Sequence, residues 1–306
     1  MLSQVNFPQG LKPSFSGHQT FALRYGWLEK SFHAVDSNEE NPFSKEAIAT
    51  FGVGRNMVDA IKHWATATGF LINLEKNQYE VSDYARSLMN VDKDPFLENI
   101  NSLWKIHYEL VKNPKNITLH YLFCFLNDNV FDRDLFYSRI TEFLKENNLD
   151  PPAEDTLNSD ITVSFNTYSS TTKNGPGDDV VNSPMTELGL IRNIGDGRFS
   201  LNLGTKNNLP NNLFLSCLVD YWEQEEIRSD RKRITTIKFE DILYSPRSPG
   251  RIFLLGEKGL SKRLSSIEEI SEGQIIWTET AGLQQLSKTE RYQPEKLLQK
   301  WCLDYE

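Results

Sequence analysis

The sequence predicts a mainly helical α+β protein with small β-hairpins, in which winged-helix units are joined by a helical bundle. Three features carry that prediction. A helix, a double-glycine turn, a longer helix and a hairpin follow one another across 43–87. An aromatic-rich block with helical spacing fills 94–148. The segments 68–82 and 188–202 align without a gap, each reading as helix end, glycine, strand, polar turn and strand.

Residues 1–16 read as an irregular arm, and 15–35 as a helix or a loop entering one, with Phe21, Trp27, Leu28 and Phe32 supplying bulk. His18 sits near the start of that stretch, where it can meet a phosphate or a metal, or serve as a satisfied structural group. Ser44 occupies a helix N-cap position with Glu46 in the first turn. Gly52-Val53-Gly54 ends that helix, because two glycines in three residues supply backbone conformations a helix lacks. From Arg55 the next helix puts Met57, Ile61, Trp64 and Thr68 on a core stripe, with Arg55, Asn56, Asp59, Lys62, His63 and Thr66 on its other face. Gly69 stops the helix, and a hairpin follows with Glu75-Lys76-Asn77 at its tip. A helix-turn-helix with such a wing commonly lays its second helix in a DNA groove, and the same arrangement also docks proteins.

Farther along, Leu97, Ile100, Leu103, Trp104, His107 and Leu110 share one broad helical face, and His107 and His120 fall among aromatics as core residues. Ile161, Val163 and Phe165 alternate as in a strand. Glu154, Asp155 and Asp160 form a compact acidic group beside it. Paired carboxylates there can hold a divalent metal for phosphodiester chemistry, or act as a cap and turn residues. The Gly/Pro/Asn/Asp-rich stretch 172–184 marks a boundary. The resulting division is a winged-helix domain at 1–93, a helical middle domain at 94–171 and an α+β domain at 172–306. A second wing-like unit is expected near 180–265, its hairpin turn being Gly195-Asp196-Gly197. Beyond it, Leu213, Cys217, Tyr221 and Trp222 form the apolar side of one clear helix. The basic run Arg228, Arg231, Lys232, Arg233 and Lys238, followed by Arg247 and Arg251, is either a phosphate grip or a solvated helix end and loop. A strand is expected over 251–255, a helix from Lys258 and a strand over 274–278.

Composition narrows the function. A net charge of −9 over 306 residues counts against coating DNA by bulk electrostatics, so any phosphate binding needs local Lys/Arg clusters. No apolar run approaches membrane-span length and the amino terminus lacks a signal-peptide stretch, which points to a cytoplasmic protein without a membrane partner. Three scattered cysteines imply free thiols in a reducing compartment. P-loop, dinucleotide glycine fingerprint, zinc-finger spacing, HExxH and GxSxG are all absent, so motifs alone do not establish catalysis.

The stretches GHQTFALRYGWLEK, GVGRNMVDAIKHW, SLWKIHYEL, TLNSDITVSFNTY, LGLI and TAGLQQL occur in that order. Together they resemble a bacterial family of DUF-type proteins found beside DNA phosphorothioation and phage-defence genes, including SspB-type nicking subunits. GVGRNMVDAIKHW is the most specific of them, and the likeness spans nearly the whole chain. The resemblance implies DNA as a partner and, for SspB-type members, a single-strand nick that assists sulfur insertion. It also implies companions: a cysteine desulfurase, an ATP-pyrophosphatase-like sulfur transferase and an ATPase. On this reading Arg55, Asn56, Lys62, His63 and Thr66 face DNA, Lys76 lies on the wing, and Arg231, Lys232 and Arg233 grip phosphate. A metal-dependent nickase would use Mg2+ or Mn2+ on Asp155 and Asp160, with His18 as general base. The competing expectations are a non-catalytic winged-helix regulator and a scaffold that docks an ATPase or sulfur-transfer partner.

Overall fold

The structure is a computed structural model that describes residues 7–8, 10–37, 41–74, 77–90, 92–169, 183–229, 233–280 and 282–305. It is a mixed α/β chain in which helix outweighs strand and the strands form small antiparallel sheets. Two compact units compose it: Met1–Leu122 with Leu126–Asn202, and Phe123–Phe125 with Leu203–Glu306. The boundary stretch expected at 172–184 lies almost wholly outside the described residues.

The first unit opens with α1 (Trp27–Asp36), α2 (Ala47–Phe51) and α3 (Arg55–Ala67), followed by the hairpin β1 (Leu71–Asn73) and β2 (Tyr79–Val81). Ser44 does not cap α2. The helix starts later, and the Ser44 hydroxyl donates to the Glu46 carboxylate instead. Val58, Ile61, Trp64 and Ala65 bury the inner side of α3, and the Trp64 indole Nε1 donates to the Phe21 carbonyl at 3.0 Å, fastening the preceding arm. Then come α4 (Asp83–Leu88), α5 (Ile100–Lys112), α6 (Ile117–Cys124), β3 (Val130–Phe131), α7 (Arg133–Glu146) and α8 (Glu154–Tyr168).

The strand expected at 161–165 is part of α8. Leu157, Ile161, Phe165 and Tyr168 recur at helical spacing, while Val163 and Ser164 are buried as well, so the helix is enclosed on most sides. Enclosure hides the 3.6-residue period that would have distinguished it. Phe165 packs against Phe136 and Phe199, with ring centroids 5.2 and 4.7 Å away. Both core histidines are buried: His107 Nδ1 meets the Tyr168 hydroxyl at 2.7 Å, and His120 Nδ1 donates to the Val111 carbonyl at 2.7 Å.

A 3-10 turn (Pro184–Leu188) leads to β4 (Ile191–Gly195) and β5 (Arg198–Leu201), in a sheet ordered β3-β5-β4. The two aligned segments fold alike. Leu71 pairs with Val81 and Asn73 with Tyr79, just as Ile191 pairs with Leu201 and Asn193 with Phe199. Gly69 and Gly189 precede them at φ 66° and 57°, a left-handed conformation that L side chains rarely adopt.

The second unit contains α9 (Asn211–Arg228), β6 (Thr236–Lys238), α10 (Phe239–Tyr244), α11 (Pro249–Ile252), α12 (Glu257–Leu264), α13 (Ile267–Ile270), β7 (Ile275–Thr280), β8 (Leu283–Lys288) and α14 (Pro294–Leu298). A 3-10 turn (Lys300–Tyr305) ends it. Its antiparallel sheet is ordered β6-β8-β7. The strand expected over 251–255 is a helical turn, because Ser248 caps α11 by accepting the Arg251 N–H and Pro249 fits the first helical position. Leu255 makes only an isolated bridge to Gly204. Trp222 is fully buried on α9, and beside it Lys288 lies under the Trp222 and Tyr292 rings, paired with Glu223 at 2.8 Å and Glu226 at 2.6 Å. Among the described residues, no helix is long and apolar enough to cross a membrane.

Candidate nucleic-acid interface

Helix α3 has two working edges. The outer one lies against a cleft of about 640 Å³ lined by Asn41, Phe43, Ser44, Lys45, Glu46, Arg55, Lys62, Asn77 and Tyr79. The turn before α2, the first half of α3 and the hairpin therefore wall one cavity. Among the described residues, three cations line it, Lys45, Arg55 and Lys62, against one carboxylate, Glu46. The Arg55 guanidinium is the most constrained of the three: Nη1 donates to the Phe43 and Ser44 carbonyls at 3.1 and 3.2 Å, and Nη2 reaches Asp59 at 2.9 Å. Asp59 also draws Lys62, at 3.7 Å. Lys45 is exposed and makes no ion pair with a described residue. A phosphate in this cleft would meet Lys45 and Lys62 as movable point charges, with Arg55 holding the corner in shape.

The inner edge of α3 carries His63, which was expected on the outward face. Its ring turns inward and stands edge-on to His18, with centroids 5.7 Å apart. Burial, with His18 as a second cause, pushes the His63 pKa down to about 4, and the Asp160 carboxylate opposes the shift only partly. His63 is thus a neutral imidazole at neutral pH. Helix α8 supplies Asp160, whose Oδ1 accepts from His18 Nε2 at 2.8 Å and from the Ser16 N–H at 3.2 Å. His18 Nδ1 accepts the Thr20 N–H at 3.1 Å, which fixes the tautomer: Nε2 carries the hydrogen and donates the hydrogen bond that Asp160 accepts. Both ring nitrogens of His18 are occupied. The adjoining cavity, lined by His18, His63, Asp160, Asn116, Thr118 and Ser164 among others, has about 20 Å³ of room, enough for about one water.

The expected site residues are distributed unequally. Arg55 and Lys62 reach the cleft, Asn56 is exposed on the first turn of α3, and Thr66 turns its hydroxyl back onto the Lys62 and His63 carbonyls. Arg233 is exposed in the second unit, while Lys76, Arg231 and Lys232 lie outside the described residues. His18 and Asp160 meet across 142 positions of chain. Asp155 does not join them: it is exposed in the first turn of α8, and five residues along a helix rotate a side chain by about 140°. Asp160 spends one carboxylate oxygen, Oδ1, on both His18 and Ser16. Among the described residues, no group of three or more His, Cys, Asp or Glu side chains is arranged for a metal ion. Sequence reasoning missed Lys45, although FSKEA was in plain view. An exposed lysine has no local signature, and only the fold places it in one cleft with Lys62.

Fold and site define a two-unit α+β protein whose helix–glycine turn–helix and hairpin enclose a cationic cleft. The chain belongs to a family described as "Protein of unknown function (DUF4007)", whose model matches residues 15–304. Two solved structures of SspB, one of them bound to magnesium ion, share the fold. Each has a TM-score of 0.81 and 24% identity, over 95% of this chain and 88% of the other. No curated protein matches.

Proposed function

We propose that this chain is a cytoplasmic, DNA-engaging subunit of a phosphorothioate-type modification or anti-phage defence system, its first unit a winged helix that meets the duplex with α3 and the β1–β2 hairpin. The observation supporting it is the cleft: Lys45, Arg55 and Lys62 converge between a helix-turn-helix and a hairpin in a chain whose net charge is −9. Local cation density against an acidic background is what backbone recognition requires. In this reading Lys45 and Lys62 contact phosphate, Asn56 at the exposed start of α3 approaches the groove, and Lys76 with Arg231, Lys232 and Arg233 adds backbone contacts. A cysteine desulfurase, a sulfur transferase and an ATPase are the proposed companions, by the family resemblance.

Nicking is the finer part of the proposal, with His18, Asp160 and Asp155 as its candidate residues and Mg2+ or Mn2+ as the ion to supply. One observation favours a non-catalytic winged-helix regulator instead: His18 already spends both ring nitrogens on Thr20 and Asp160.

Fluorescence anisotropy with a labelled 20-bp duplex, at several salt concentrations, tests the binding. The expected result is salt-dependent association that Lys45→Gln/Lys62→Gln weakens, with the salt slope falling by about 2. No association at low salt would overturn the reading. Relaxation of supercoiled plasmid with either ion, with and without the companion proteins, separates the nickase from the regulator. Unchanged nicking by Asp160→Asn would remove that residue from the chemistry.

A further inference from the structure

The second unit contains an arrangement that the sequence reading did not identify. Its elements run helix, strand, helix, short helix, helix and hairpin, from α9 through β6, α10, α11 and α12 to β7–β8, with the one-turn helix α13 before the hairpin. The first strand closes the sheet by pairing with the last, in the order β6-β8-β7. This puts α12 before a hairpin, as α3 stands before β1–β2.

Helix α12 is held firmly by one side. Leu260 and Leu264 are fully buried, and Gly259 lies so close to the 204–205 backbone that a Cβ would stand 2.8 Å from the Gly204 carbonyl oxygen. Arg263 is buried, its guanidinium donating to the carbonyls of Thr205, Lys206, Leu209 and Gly259. The opposite side is then fixed by helix geometry. Lys258, Ser261 and Lys262 fall at i, i+3 and i+4 and are all exposed. Ser265 continues that face, its hydroxyl donating to the Lys262 carbonyl. The helix's one acidic residue, Glu257, accepts from the Tyr244 hydroxyl at 3.0 Å. Neither Lys258 nor Lys262 makes an ion pair with a described residue. On α3, by contrast, Arg55 and Lys62 share Asp59.

A rigidly seated helix that presents two ammonium groups with no ion-pair partner among the described residues, and the exposed Ser261 between them, in an acidic chain, complements a polyanionic backbone. We propose that the Lys258–Ser261–Lys262 face of α12 is a second phosphate-contacting surface, by which the second unit holds duplex DNA independently of the α3 cleft. This extends the proposed DNA association but concerns different residues.

The test uses the full chain, a labelled 20-bp duplex and anisotropy at several salt concentrations, comparing Lys258→Gln/Lys262→Gln with Lys45→Gln/Lys62→Gln and the wild type. Thermal unfolding serves as a folding control, since surface Lys→Gln changes leave the core intact. The α12 variant is expected to lose about 2 from the salt slope and to weaken equally on duplexes of unrelated sequence, because phosphates carry no sequence. Its loss should multiply with that of the cleft variant. An unchanged slope in the α12 variant overturns this inference while leaving the cleft reading intact. Weakening by the α12 variant alone upholds it and removes the cleft. Absence of wild-type binding at low salt removes both.

Discussion

His63 is where charge and packing conflict most directly. An imidazole held at a pKa of about 4 against an unfolded value of 6.5 binds a proton less readily when folded. Its contribution to stability is therefore complete above about pH 6.5 and is lost as the pH falls toward 4, where the folded ring must accept charge beside His18. The loss has an upper bound of about 3 kcal/mol, reduced by the ring's partial contact with solvent. Urea unfolding at pH 7.5 and 5 should show this decline in the wild type and a flatter dependence in His63→Gln. Asp160 follows a different logic. Removing one partner of a buried pair leaves the other unsatisfied, so Asp160→Ala is expected to cost about 3 kcal/mol or more. Asp160→Asn should cost less, because an amide oxygen can still accept from His18 Nε2. Equal losses in the two variants, measured by denaturant midpoint, would contradict the assigned tautomer.

Between elements, the arm comes closest to the His63 ring of α3 at one glycine. A Cβ at Gly17 would stand 2.3 Å from His63 Nδ1, closer than real Cβ contacts come. Gly17→Ala should thus destabilise by about 1–3 kcal/mol. In Gly17→Ala/His63→Ala most of that extra cost should vanish, because the clash has lost its second party. Additive losses in this double-mutant cycle would mean that the backbone of the arm, not the histidine ring, sets the requirement. Several elements were legible locally. Gly52 and Gly69 bracket α3, and the Gly195-Asp196-Gly197 turn marks the β4–β5 hairpin. Two strand expectations failed for physical reasons. Helix α8 is enclosed, which erases its period, and residues 249–252 obey a Ser-Pro cap that outweighs their apolar run.

For the whole molecule, the chain crosses between its units more than once, since Phe123–Phe125 belong with 203–306. Phe123, Cys124 and Phe125 are all buried, and an excised 203–306 fragment would lack them. That fragment is expected to unfold at lower urea concentration than the same unit within the full chain. A fragment of equal stability, followed by amide hydrogen exchange of α9 in fragment and full chain, would show that the three residues contribute little. The cause of the expected loss is the apolar surface that the missing residues no longer cover.

The sequence by itself determined the helix–turn–helix–hairpin order of 47–81, the likeness of its hairpin to 191–201, the burial of His107 and His120, and the family resemblance. These follow from glycine stereochemistry and hydrophobic spacing, which act over a few residues. Only the tertiary structure decided which polar groups meet. It joins His18 to Asp160 and His63, turns His63 away from the outer edge of α3, sets Asp155 apart from Asp160, and places Lys45 and Lys62 in one cleft. Such pairings depend on the packing of elements far apart in the chain, and a polar side chain has no periodicity from which its partner could be read.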